Sequence, residues 1–98
     1  MAGRYVLSPR AKSDLEEIWS YTESRWGFDQ AERYFRELSR HIEIIASRPA
    51  SGRPCPEVRA KYYKYRAGSH FLFYRITADG VDVVRILHER MDFRRHLP

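Results

Sequence analysis

A single cysteine, Cys55, stands in a chain of 98 residues. No internal disulfide can form, and a thiolate zinc site has no second thiol to draw on. No apolar run approaches the ~20 residues needed to cross a membrane. The opening Met1-Ala2-Gly3-Arg4 lacks the apolar stretch of a secretion signal. These absences lead to the expectation of a soluble cytoplasmic protein with no membrane partner and no bound metal or cofactor. Acidic residues are few beside basic ones, 13 against 18, which leaves a formal charge of +5 carried mostly by arginine. Arginine suits planar, bidentate recognition of carboxylate or phosphate. Such a balance admits three partners: nucleic acid, an acidic protein, or an enzyme already bound to nucleic acid. The hydrophobic content of 43% excludes a disordered chain. A chain of this length is one domain, residues 1–98, with one modest core and no room for a separate cofactor domain.

Proline and glycine are sparse, and four of the ten fall within residues 48–58, which read as a loop. Before it, Arg4–Leu7 reads as a short strand. Ser8 then caps a helix whose first position is Pro9, where the missing N–H costs nothing. Ala11, Leu15, Ile18, Thr22 and Trp26 recur at spacings of three and four, and Trp19 widens the stripe. This helix runs to about Arg25 and Gly27 ends it. A second helix is expected from Asp29, with Glu32 completing a capping box. Its stripe is Ala31, Tyr34/Phe35, Leu38, Ile42 and Ile45, and it ends before Pro49. The linker Gly27-Phe28 is short, so the two helices should be antiparallel neighbours.

After the loop, residues 62–90 read as three strands joined by turns at Ala67-Gly68 and Ala78-Asp79-Gly80. The tail from Arg90 to Pro98 is polar and basic, with room for a final helical turn. The order is β-α-α-β-β-β. The expected class is α+β: one antiparallel sheet with an N-terminal helical hairpin packed on one face.

The turn sets the register, and the register sets the faces. A loop of Ala78-Asp79-Gly80 places His70, Leu72, Tyr74, Ile76, Asp82, Val84, Ile86 and His88 on the helix side. The other face then carries Phe71, Phe73, Arg75, Val81, Val83, Arg85 and Leu87. A two-residue loop would exchange the faces of the last strand. Arginines at the centre of an apolar face suggest an open interaction surface. The alternative is that Phe71 and Phe73 pack against the tail or a loop, with arginine stems covering them.

This order of elements, and the residues within it, resembles the ParE toxins of bacterial toxin–antitoxin systems, in the RelE/ParE superfamily. The resemblance rests on Leu7-Ser8-Pro9 with Asp14-Leu15 and Ile18, and on Asp29-Gln30-Ala31-Glu32. It continues through Arg48-Pro49, Gly52-Arg53-Pro54 and Arg59, then Tyr65-Arg66, Phe73-Tyr74-Arg75-Ile76 and Val83–Asp92. It covers nearly the whole chain. It implies a plasmid- or chromosome-borne toxin that poisons DNA gyrase and blocks replication. It also implies a ParD-type antitoxin that wraps a C-terminal segment around the toxin and, through its own DNA-binding domain, brings the complex to operator DNA. On the open-face reading, the antitoxin would dock, extended or helical, onto that face and the helical hairpin, with Phe71, Phe73 and Leu87 as apolar anchors. Arg75 and Arg85 would pair with its carboxylates. Arg90, Arg94 and Arg95 are the candidates for contact with the target.

The sister branch of the superfamily cleaves mRNA on the ribosome. That chemistry needs a base for the 2′-hydroxyl, cations for the phosphate and an acid for the leaving oxygen. The resemblance implies lysines on the first meander strand, an arginine on the second, and an arginine with a tyrosine or histidine near the C-terminus. Here Lys61 and Lys64 flank Tyr62 and Tyr63, His70 or Phe71 stands in place of the arginine, and no tyrosine follows residue 88. A residual catalytic set would be His88, Arg85 and Arg90, with His96 as a second acid or base.

Simpler readings stand beside these. His88 could be capped by Glu89 or Asp92, and His70 could close the rim of the core. Asp14, Glu16 and Glu17 read as the solvated face of the first helix. Trp19 and Trp26 read as core or helix-edge packing. As a direct nucleic-acid module the chain is the weakest fit, since its positive residues are spread along the sequence and no aromatic-basic RNA motif occurs.

Overall fold

The computed structural model describes residues 3–97; Met1 and Ala2 of the opening segment and Pro98 of the tail lie outside the described residues. The elements are β1 (Arg4–Leu7), α1 (Pro9–Trp26), α2 (Phe28–Ser47), a 3₁₀ turn (Pro49–Ser51), β2 (Arg53–Pro54), β3 (Tyr63–Ala67), β4 (His70–Ile76), β5 (Gly80–His88) and α3 (Phe93–His96). The expected order is present. The additions are the 3₁₀ turn and the two-residue β2 inside the proline-rich loop, and the helical turn for which the tail had room is α3.

Ser8 caps α1, its hydroxyl accepting from the Ala11 N–H at 3.0 Å. Gly27, at φ 93°, closes α1 and is also the residue from which α2 departs. With one glycine serving both ends, no position is left for a side-chain cap. The expected capping box is therefore not formed. Asp29 lies inside the first turn, where its charge meets the helix N-terminus, and Glu32 pairs with Arg36 instead at 2.6 Å.

The five strands lie in the order β1-β5-β4-β3-β2. The pairs from β2 to β5 are antiparallel, as expected. β1, in contrast, runs parallel to β5, from Arg4 opposite Gly80 to Leu7 opposite Val83, so the sheet is mixed. The backbones approach closely there: a Cβ at position 80 would collide with the Arg4 carbonyl.

The register also departs from the three-residue-loop reading. Ile76 faces Val81 and Arg75 faces Asp82, and the Thr77 N–H donates to the Gly80 carbonyl at 2.9 Å. The loop is thus the two residues Ala78-Asp79, and Val81 and Val83 join the helix-side core. A bulge follows: Tyr74 pairs with Val83 but Phe73 with Arg85, leaving Val84 as the extra residue. The bulge returns Ile86 to the helix side and Leu87 to the other. Asp82 and Val84, expected under the helices, lie on the opposite face.

That opposite face is closed. Cys55, Tyr62, Phe73 and Leu87 form a second cluster, covered by Val58 of the loop and by Phe93 and Leu97 of the tail. Phe93 stands edge-on at 4.8 Å to Phe73 and 5.4 Å to Phe71. Phe73 and Leu87 are 0% and 1% exposed. The open face read from the sequence is corrected in favour of its alternative: Phe93 and Leu97, partly buried themselves, return from the tail to cover it together with Val58 of the loop.

One polar cluster ties the helices to the sheet. β1 accompanies β5 only as far as Val83, so the backbone of residues 84–86 faces α1 instead of a strand. Ser8 Oγ donates to the Val84 carbonyl at 2.6 Å, and the Asp14 carboxylate accepts the Ile86 N–H at 2.9 Å. The same carboxylate accepts Arg85 Nε and Nη2, both at 2.9 Å, while Nη1 donates to the His96 carbonyl at 2.6 Å. Asp14 and Arg85 are both buried. Asp14 therefore leaves the solvated face assigned to it, because it stands in the buried stripe between Ala11 and Ile18; Glu16 and Glu17 remain exposed. Bonded to Asp14, the Arg85 guanidinium has its pKa raised further still.

Asp14→Ala should strand a buried guanidinium and a backbone N–H. The expected loss is about 3–5 kcal/mol in denaturant unfolding, with a fall in Tm of more than ~10 °C. Adding Arg85→Ala to Asp14→Ala should destabilise far less than the sum of the two single changes. A loss from Asp14→Ala below about 1 kcal/mol would contradict this placement.

Candidate functional site

The helical hairpin outreaches the sheet. From Asp14 to Trp26 the helix runs about 18 Å, while from Ile86 to the end of β5 the strand runs about 7 Å. The overhang forms a cleft of about 680 Å³ between the last turns of α1, the start of α2 and the ends of β4 and β5. Asp14, Arg85 and Ile86 lie at its floor. Ile18, Tyr21, Thr22 and Trp26 form the α1 wall. Tyr34, His70, His88 and Met91 stand opposite.

The α1 wall is unusually apolar for a free surface. Tyr21 and Trp26 are 63% and 64% exposed, and Phe28 and Met91 are exposed beside them. Trp19 fits the packing expectation, standing edge-on to Phe28 and Phe35 at 5.6 and 5.5 Å. Trp26 does not: it carries its stripe past the end of the sheet, where it is 64% exposed and meets the Arg25 guanidinium, 5.7 Å from its ring centre. The periodicity that marks Trp26 as apolar cannot show that its partner surface stops short.

On the other wall the Tyr34 hydroxyl accepts the Ser69 N–H at 3.0 Å and lies 2.6 Å from His70 Nδ1. Gly68, at φ 63°, lets the β3–β4 turn pass under this ring; a Cβ there would clash with it. Burial, then the neighbouring His88, pushes His70 down to about 4. Burial likewise raises the Tyr34 phenol. Neutral His70 accepts a hydrogen bond from the Tyr34 hydroxyl at Nδ1 and carries its own hydrogen on Nε2. The two histidine rings are 5.2 Å apart and edge-on. His70 thus closes the rim of the core, as the simpler reading had it. His88 does not meet a carboxylate: its Nδ1 accepts the Arg90 N–H at 3.2 Å, while Glu89 binds Arg66 at 2.7 Å.

The residues proposed from sequence fall into three groups. Phe73, Leu87 and Arg85 are buried beneath the tail and against α1. Phe71 is half-buried, and Arg75 is exposed with Asp82 at 3.6 Å. Arg90, Arg94 and Arg95 are all exposed, Arg95 with Asp92 at 3.7 Å. In the alternative set His88, Arg85 and Arg90, all three Arg85 nitrogens already donate within the protein, and His88 Nδ1 accepts the Arg90 N–H. Among the described residues no cluster of three or more His, Cys, Asp or Glu could hold a metal ion, and no helix is long and apolar enough to cross a membrane.

The depressed His70 pKa makes stability depend on pH. The unfolded chain takes up this proton near pH 6.5, the folded one only near pH 4. Stability from this group should be complete above about pH 6.5 and lost progressively down to about pH 4. Comparing urea unfolding of wild type and His70→Gln, the wild type should lose ~1–2 kcal/mol more across that interval. Parallel curves would refute the assignment.

Comparison with known proteins is consistent along the chain. Residues 5–93 match the family described as the ParE toxin of the type II toxin–antitoxin system, parDE. Toxin ParE1 of Mycobacterium tuberculosis is 56% identical over 98 residues, covering 99% of this chain and all of that one. Toxin ParE1 of Caulobacter vibrioides is 48% identical, covering 95% and 96%. Toxin ParE of Escherichia coli is 33% identical, covering 95% and 91%. Among solved structures, the chromosomal ParDE system from P. aeruginosa superposes with a TM-score of 0.76 at 15% identity, covering 89% of this chain and 96% of that one. The RelBE2 toxin–antitoxin complex of Mycobacterium tuberculosis superposes at 0.64 and 19% identity, covering 90% and 99%. At such identities the structures speak for the fold alone, whereas the sequence matches speak for kinship. From the capped first helix to the tail that seals the sheet, the chain belongs to the ParE toxin family of type II toxin–antitoxin systems.

Proposed function

We propose that this protein inhibits DNA gyrase and so blocks replication, and that a ParD-type antitoxin holds it inactive until released. The observation that carries this reading is the family match through residues 5–93, with 56% identity to a ParE1 toxin over nearly the full chain. The locked Arg85 supports a toxin that acts by binding and not by phosphoryl transfer. The exposed arginines Arg90, Arg94 and Arg95 remain the candidates for the target contact.

For the antitoxin, the cleft is the better seat than the sheet face read from the sequence. Ile18, Tyr21 and Trp26 offer an apolar wall, faced by Met91, to an amphipathic segment, in the manner of a helix laid in a groove. Phe71 and Arg75 stay reachable at the edge of the opposite face, whereas Phe73, Leu87 and Arg85 would be reached only by displacing the tail.

The test of the function is a supercoiling assay with purified gyrase on a gel that resolves linear DNA. Loss of supercoiling with accumulating linear DNA is expected. Unaffected gyrase at saturating folded protein would overturn the reading, and transcript cleavage in ribosome-containing extract would then favour the endoribonuclease branch. For the antitoxin seat, Trp26→Ala and Tyr21→Ala should leave Tm unchanged and weaken the antitoxin complex by about 30-fold or more each, as aromatic anchors do. Undiminished affinity in both variants would move the antitoxin elsewhere.

A further inference from the structure

The basic residues look scattered in the sequence, but the fold sorts them. Residues 1–47, which make the helical layer and β1, carry seven basic and eight acidic side chains. Residues 48–98, which make the rest of the sheet, its loop and the tail, carry eleven basic and five acidic ones. The whole positive surplus therefore belongs to the sheet layer and to the segments that cover its far side.

Within that layer three cations, Arg53, Lys64 and Arg66, share a face. Along β3, Tyr63, Tyr65 and Ala67 pack toward the helices, so Lys64 and Arg66 project to the opposite side with Tyr62. Arg53 pairs directly across from Lys64, on the same side. Lys64 Nζ and Arg66 Cζ both lie 5.6 Å from the centre of the Phe71 ring. Two like charges are thus drawn over one ring, and the carboxylate at hand, Glu89, is taken by Arg66. Among the described residues, Arg53, Arg59, Lys61, Lys64, Arg90 and Arg94 have no carboxylate within 4 Å. Like charges held together this way repel, and an anionic partner would relieve the repulsion.

We propose that this face, centred on Arg53, Lys64 and Arg66 and continued by the tail arginines, binds the phosphate backbone of duplex DNA directly. The face suits a polyphosphate track more than an acidic peptide for two reasons. Its cations are spread along strand and tail instead of ringing an apolar pocket, and the apolar groups beneath them are already sealed by Phe93 and Leu97. The molecule is a slab of 37 × 34 × 20 Å, so a broad face can follow a duplex for about one turn, ~34 Å. Contacts of this kind position a protein on DNA without reading sequence. The choice of duplex DNA over other polyanions rests on the gyrase reading, since gyrase holds duplex DNA where the toxin would act.

The experiment uses the full chain alone, without gyrase or antitoxin, and fluorescence anisotropy of a labelled duplex of about 20 bp, roughly two turns. Four neutralised phosphates predict a log–log salt slope of about −3.6 and a roughly 100-fold weakening from 50 to 200 mM salt. The double variant Arg53→Gln/Lys64→Gln should flatten the slope by about 2. The control Arg33→Gln/Arg40→Gln, which removes the same charge from the helical layer, should leave the slope unchanged. Circular dichroism keeps the comparison to folded protein. No binding at 50 mM salt, a salt-independent affinity, or equal effects of the two variants would overturn the proposal. Tighter binding to single-stranded RNA would overturn the duplex assignment, as would loss of antitoxin affinity in Arg53→Gln/Lys64→Gln with DNA binding intact. Because gyrase is absent, this result and the supercoiling result can fail independently.

Discussion

The Asp14 carboxylate bonded to the Arg85 guanidinium is the constraint around which this molecule is arranged. It stands where β1 gives out and β5 continues alone, and it supplies what a neighbouring strand would have supplied: an acceptor for the Ile86 N–H. It also fixes α1 across the sheet at one height. Everything beyond that point follows as overhang: the last turns of α1, the exposed Tyr21 and Trp26, and the cleft under them. Through Nη1 and the His96 carbonyl the same guanidinium reaches the tail, so the layer that closes the far face is joined to the pair that sets the near one. A buried ion pair is a weak source of net stability but a strong specifier of geometry when one partner has no alternative.

The consequence is a small toxin with two unlike surfaces. Around the cleft, apolar side chains stand exposed on one wall while the polar groups of the other are satisfied within the protein, as Tyr34, Ser69 and His70 satisfy one another. Such a wall suits the amphipathic antitoxin segment proposed to lie there. Across the sheet, the apolar residues are covered and the cations are not. That is a surface for charge. On the functions proposed above, the two surfaces divide the work: an antitoxin seated in the cleft leaves the basic face free for an anionic partner.

Much of this was legible in the sequence. The helix boundaries at Pro9 and Gly27, the apolar stripes and the loop before the meander follow from local chemistry, and the family from a resemblance of residues along the chain. The faces of the sheet did not, because one residue in the β4–β5 loop and one bulge at Val84 each exchange the sides of the strand, and neither has an unambiguous local signal. The role of Asp14 was nearer to reach. It lies at i+3 from Ala11 and i−4 from Ile18, inside the apolar stripe, and an acid there needs a buried cation of the kind Arg85 offers within an apolar strand. The covering of Phe73 by Phe93 depends on where the tail returns in space, which periodicity does not encode. The cleft was invisible for a similar reason: Trp26 continues its stripe faithfully, and only the length of β5 leaves it past the end of the sheet and exposed.

The division of surfaces is tested most directly by hydrogen–deuterium exchange of the toxin, free and bound to its antitoxin. The account predicts new protection in residues 18–26 and 88–91, with exchange in β3 and in residues 93–97 unchanged. Protection confined to the tail and the far face, with the end of α1 exchanging as in the free protein, would contradict it.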